Sequence, residues 1–138
     1  MKITAREVYE KSLALINERD SEGAYQSDIS DFEKNAPRIM SAILKMLMID
    51  EASISGGSVE EGEFWEKSEL SSLDCEIPLH PALAFGVFPF ALAAALLFEE
   101  DRERAEFFFA EFRDAENKIV RGFVKGKRKS VTDVYSGG

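Results

Sequence analysis

Apolar residues recur along this chain at helical spacing. Ala5, Val8, Tyr9, Ser12, Leu15 and Ile16 fall near one face of a helix. Thr4 followed by Glu7 makes a capping-box pattern, which places the start of that helix at Ala5. The stretch NERDSEGAYQS breaks the period, with Gly23 as its most flexible point. A second stripe runs through Ile29, Phe32, Ala36, Ile39, Ile43, Met46 and Leu47. Pro37 interrupts it, because an interior proline removes one hydrogen bond and kinks a helix. The pattern fits one bent helix over 28–49, which we prefer, or a short turn before a helix that starts at Pro37.

Residues 50–76 lack a period. EASISGGSVEEGE is polar, contains Gly56, Gly57 and Gly62, and reads as an exposed loop. Loops of this length are often functional or else mobile. Phe64, Trp65 and Leu70 are placed to pin part of it to the body. Ile77 and His80 each precede a proline and are pushed away from helical geometry, so an extended piece is expected at Cys75–Leu79. His80 then suits an N-cap, with Pro81 at the first helical position. The third helix runs to Phe98 with a kink near Pro89, and a tight turn follows at Glu99–Arg102. A fourth helix carries Ala105, Phe108, Phe109, Phe112 and Ala115 on one face. Phe107 points off that stripe and either joins the core or marks an interface.

The last segment, FVKGKRKSVTDVYSGG, reads as non-helical. Gly122 and Gly126 interrupt it, and Val131, Val134 and Tyr135 are strand formers. Such a tail is loose, or lies extended in a groove of the same or another subunit. The expected fold class is therefore all-α. It is a single-domain bundle of about four helices over 1–121 with a long polar loop, followed by an extended C-terminal tail over 122–138.

The most apolar stretch is FGVFPFALAAALLF at 85–98. Extended to its limits at Ala82–Phe98 it falls short of the roughly 20 residues a spanning helix needs. It has no basic or Trp/Tyr belt, and Glu99, Glu100 and Asp101 follow it. It reads instead as a central core helix, or as one shared between subunits. The start, MKITAREVYEKSL, reads as an amphipathic helix and not as a signal peptide.

Composition adds little: 138 residues, 45% hydrophobic and 31% charged, fit one globular domain. Charge adds more. The net −9 hides an asymmetry: Lys118, Arg121, Lys125, Lys127, Arg128 and Lys129 form a basic run, whereas the chain before Lys118 carries −14. That body should repel nucleic acid non-specifically. The basic run suits an acidic partner, and the acidic body of a neighbouring copy is the obvious one.

Candidate chemistry is sparse. The lone Cys75 excludes an intramolecular disulfide and a multi-cysteine metal site, and reads as a small buried or half-buried residue in a chain compatible with a reducing setting. His80 reads as a helix-start residue. No G-x-S-x-G elbow, P-loop or G-x-G-x-x-G is present. Glu99, Glu100 and Glu103 fit E-E-x-x-E, and Glu111 with Asp114 fits E-x-x-D, a pair of motifs carried by all-α Mg²⁺-dependent nucleotide pyrophosphohydrolases of the MazG type. There the two motifs sit on two packed helices. Here seven residues separate Glu103 from Glu111, so both fall on one helix and read as its solvated face. We expect no catalytic residue, cofactor or metal ligand.

The second half has a more specific pattern. Leu73, Asp74, Glu76, Pro78 and Leu79 lead into an Ala/Leu-rich helix with Pro89 inside it. The acidic turn Glu99–Asp101, then Phe108 and Phe112, and finally Asp133, Val134 and Tyr135 complete the series, and TAREVYEKSLALI suits its opening helix. In these residues the chain resembles a family of small helical proteins encoded among tailed-phage and prophage structural genes, the head–tail connector (adaptor) or head-completion proteins. The chain departs from the family in having SGG after Tyr135 and His80 in place of a more usual polar cap, and residues 50–70 lack a counterpart. The resemblance implies a non-enzymatic ring-forming protein beneath the portal. Its partners would be the portal protein and other copies of itself. DNA would pass without specific binding, and no membrane would be involved. The implied location is the bacterial cytoplasm during assembly and then the virion neck. Phe107, Lys125, Lys127, Arg128, Lys129, Val131, Val134 and Tyr135 are the expected interface residues. The competing readings are a small helical protein-binding module and the pyrophosphohydrolase.

Overall fold

The computed structural model describes residues 2–19, 29–55 and 66–136, with side chains described except at 17–19, 29–31, 54–55 and 123–136. Five helices lie within them: α1 (Ala5–Arg19), α2 (Ile29–Ser55), α3 (Pro81–Gly86), α4 (Phe88–Leu97) and α5 (Arg102–Ser136). Residues 66–68 add one helical turn. The all-α expectation holds. Among the described residues the one β pairing is an isolated bridge between Thr4 and Glu76.

That bridge explains how α1 is held. A helix start leaves unpaired N–H groups that need acceptors. The Glu7 amide donates to Thr4 Oγ1 at 3.3 Å, as the capping pattern requires, and the Thr4 hydroxyl donates to the Glu7 carboxylate at 3.4 Å. The returning chain supplies the rest. Ala5 N–H donates to the Cys75 carbonyl at 2.9 Å and Arg6 N–H to the Leu73 carbonyl at 2.8 Å. Ile77 N–H donates to the Ile3 carbonyl at 2.7 Å. The extended piece expected at Cys75–Leu79 thus clips the first turn of α1, with Leu73, Ile77 and Leu79 buried beneath it.

α2 is one helix through Pro37 and continues to Ser55. Residues 50–55, expected in the polar loop, are helical because extending an existing helix adds one hydrogen bond per residue fixed. Ser53 Oγ also donates to the Ile49 carbonyl at 3.1 Å. Phe32, Ala36, Met40, Leu44 and Leu47 are buried on this helix, and that packing outweighs the cost of the proline. Ser41 secures the same stretch. Its hydroxyl donates to the Pro37 carbonyl at 2.8 Å and accepts from Leu70 N–H at 2.9 Å, which draws the buried Leu70 onto the body. The remainder of the loop, 56–65, with Phe64 and Trp65, lies outside the described residues.

The apolar stretch divides into two helices at Val87, where one kinked helix was expected. Pro89 has no N–H and its ring collides with the carbonyl four residues back, so helical bonding stops before it. Val87 takes φ −123° and ψ −50° and caps both helices, and Pro89 sits in the first turn of α4, where its missing donor costs nothing. α4 is apolar on all sides, as the sequence required. α1, α2, α3 and α5 all pack against it, burying Phe88, Leu92, Ala93 and Leu97. Ser12 on α1 donates to the Pro89 carbonyl at 3.0 Å inside this core.

α5 starts where Asp101 caps it, with Arg104 N–H donating to Asp101 Oδ1 at 3.2 Å. Ala105, Phe108 and Phe112 are buried against α4. Arg104 also donates to the Ile16 carbonyl at 2.6 Å, near the end of α1. Where an extended tail was expected over 122–138, the helical backbone of α5 continues to Ser136. Lys and Arg are good helix formers and outweigh Gly122 and Gly126, each worth about 1 kcal/mol against the helix. No helix among the described residues is long and apolar enough to cross a membrane.

Candidate protein interface

α2 and α5 do not close over α4 along its whole length. Between them runs an open apolar groove of about 600 Å³. Ala91, Ala94 and Ala95 of α4 form its floor, and their small side chains are the reason it has depth. Ile43 and Met46 form one wall, Phe109 and Phe112 the other, and Phe98 closes an end. Glu106 is the one charged residue lining it among the described residues. Met46, Phe98 and Phe109 are each about half exposed, at 49%, 54% and 51%, and Ile49, one turn on from Met46 in α2, reaches 58%. Large apolar side chains grouped this way mark an interaction surface or a ligand-binding groove. Two arginines border it: the Arg102 guanidinium lies 4.8 Å from the Phe98 ring centroid and that of Arg113 5.7 Å from the Phe109 ring.

Phe109 was expected on the buried face of α5. It is exposed because positions 105, 108, 109, 112 and 115 span a wider arc than α4 can cover. Phe107 is exposed at 39%, off the core stripe, with its ring edge-on to Phe108 at 5.5 Å between centroids. Lys125, Lys127, Arg128, Lys129, Val131, Val134 and Tyr135 fall on the helical backbone of α5 beyond Gly122, and their side chains lie outside the described residues. Phe107, the one expected interface residue whose side chain is described, does not line the groove. The residues missed by sequence reasoning were Met46, Ile49 and Phe98. A signal existed: between Ile39 and Ile49, α2 carries apolar residues on more than one face, more than a single core contact needs.

The acids do not converge. Asp114 pairs with Lys118 at 3.0 Å on the surface of α5, while Glu99 and Glu100 are exposed in the turn after α4. Among the described residues no group of three or more His, Cys, Asp or Glu is placed to hold a metal ion. One close carboxyl pair does form, between Asp50 of α2 and Glu116 of α5. Burial first, then the hydrogen bond to Glu116 and its charge, push Asp50 up to about 7. Tyr9 is pushed up to about 12, first by burial and then by Glu33, and its buried hydroxyl has no hydrogen-bond partner among the described residues.

His80 and Cys75 are both tied into the local structure. His80 Nδ1 accepts from Ala82 N–H at 3.0 Å as the expected N-cap, and its own N–H donates to Glu51 at 2.9 Å. Cys75 is half-buried, with Sγ 3.6 Å from the Ser71 hydroxyl, which with Ser72 holds the thiol below its ordinary value.

Compared with family models, curated proteins and solved structures, the chain matches none.

Proposed function

We propose that this chain is a structural subunit of a tailed-phage or prophage particle, of the head–tail connector type, and acts by binding other protein subunits. The observation that carries the assembly role is the open groove between α2 and α5. It is apolar, has a volume of about 600 Å³ and is set in a body of charge −14. The resemblance supplies the kind of assembly, and its residues have physical work in the fold. Leu73 and the clip after it hold the first turn of α1, and Pro89 divides α3 from α4. The acidic body suits a passage that DNA crosses without sticking.

Co-expression with a tailed-phage portal protein tests this reading. The expected result is a stable complex with a ring of this chain beneath the portal in electron micrographs. Phe109→Asp should fold and lose that ring, because a charge in an apolar interface centre is left unpaired. A folded chain that neither binds the portal nor self-associates on it would overturn the proposal.

A further inference from the structure

The groove needs an occupant, and the helical course of α5 identifies one. Because the backbone is helical to Ser136, the C-terminal residues take on a pattern that an extended tail would lack. Val120, Val124, Val131 and Tyr135 fall on one arc of that helix and form an apolar stripe, with Lys127 and Arg128 in the turn between Val124 and Val131. Lys118, Arg121, Lys125 and Arg128 form a second stripe beside it. The end of α5 therefore has the sequence of a basic amphipathic helix, the kind of element that lays an apolar stripe in an apolar groove.

The same helix excludes its own groove as the destination. Phe109 and Phe112 form a wall of the groove, and the tail is their direct helical continuation. From Phe109 to Val131 is about 33 Å along an α-helix, leading away from that wall. A continuous helix cannot lie alongside itself, so the tail reaches only the groove of another molecule. Charge favours a second copy as that molecule: residues 118–138 carry +5 and the rest of the chain −14. With Arg102 and Arg113 beside the groove, the attraction comes from the acidic body as a whole and from Glu106 in the wall.

We propose that the basic amphipathic end of α5 in one copy docks in the α2/α4/α5 groove of the next. The contact is head-to-tail, so it repeats from copy to copy and closes into a ring if the rotation allows. It rests on the reading of the chain as an assembly subunit and names the contact that would link the copies.

Disulfide trapping in the full-length protein tests it. In a Cys75→Ser background, Met46→Cys and Val131→Cys variants are purified separately, mixed at low ionic strength and oxidised mildly. Docking brings the two positions within disulfide reach, so the mixture should yield at least about fivefold more covalent dimer than either variant alone. High salt should remove the excess, since it screens the attraction between tail and body. A mixture that gives no more cross-link than the single variants, with folding verified by circular dichroism, overturns the contact. Portal binding without a 46–131 cross-link would overturn the contact and leave the connector reading standing. The cross-link without portal binding would support the contact and count against that reading.

Discussion

α4 and the walls of the groove are equally apolar but end up in opposite surroundings. Leu92 and Leu97 in α4 are fully buried, whereas Met46 and Phe109 on the helices packed against it are about half exposed. Side-chain character does not separate them. The number of neighbouring helices does. α4 has α1, α2, α3 and α5 around it, while among the described residues no further helix covers the seam between α2 and α5. Apolar residues packed on every side stabilise the monomer, and those facing an open seam are available to a second chain.

This difference can be broken most severely at its centre. Leu92→Ala should lower stability by about 2–5 kcal/mol, since it removes buried methyl groups and leaves a cavity among four packed helices. Chemical denaturation followed by circular dichroism measures the loss.

The next effect lies on the seam. Asp50 keeps its proton in the folded protein up to about 7 but loses it near 3.8 in the unfolded chain. The folded state therefore binds that proton more tightly, and the stability it contributes is full below pH 3.8 and lost as pH rises through about 7. Melting temperature should fall between pH 5 and pH 8, and Asp50→Asn should flatten that fall by removing the titrating group. An unchanged slope in the variant would place the pH dependence elsewhere.

Tyr9 gives a smaller and opposite effect within the covered region. Its buried hydroxyl has no partner among the described residues, so Tyr9→Phe should leave stability unchanged or raise it by up to about 1 kcal/mol. A loss above that size would reveal a bond to the hydroxyl. Phe109→Ser in the open seam should change monomer stability least, within about 0.5 kcal/mol. Set beside Leu92→Ala, this pair measures directly how far a phenylalanine on the groove differs from a leucine in the core.

Several features were legible in the sequence because their causes are local. The start of α1 at Ala5 follows from Thr4 and Glu7, the His80 cap from the proline after it, and the burial of α4 from a run with no polar side. Other features were decided only in three dimensions. Helix propagation carried α2 through residues 50–55 and α5 through 122–136, because a helix already nucleated extends over residues that would not start one. Pro89 was visible, but whether it bends a helix or divides it depended on Val87 serving as the cap of both parts. The groove was the least legible feature. An apolar stripe states that a residue prefers to leave water. Whether another helix arrives to cover it depends on how many helices fit around α4, and no single stretch of the chain contains that number.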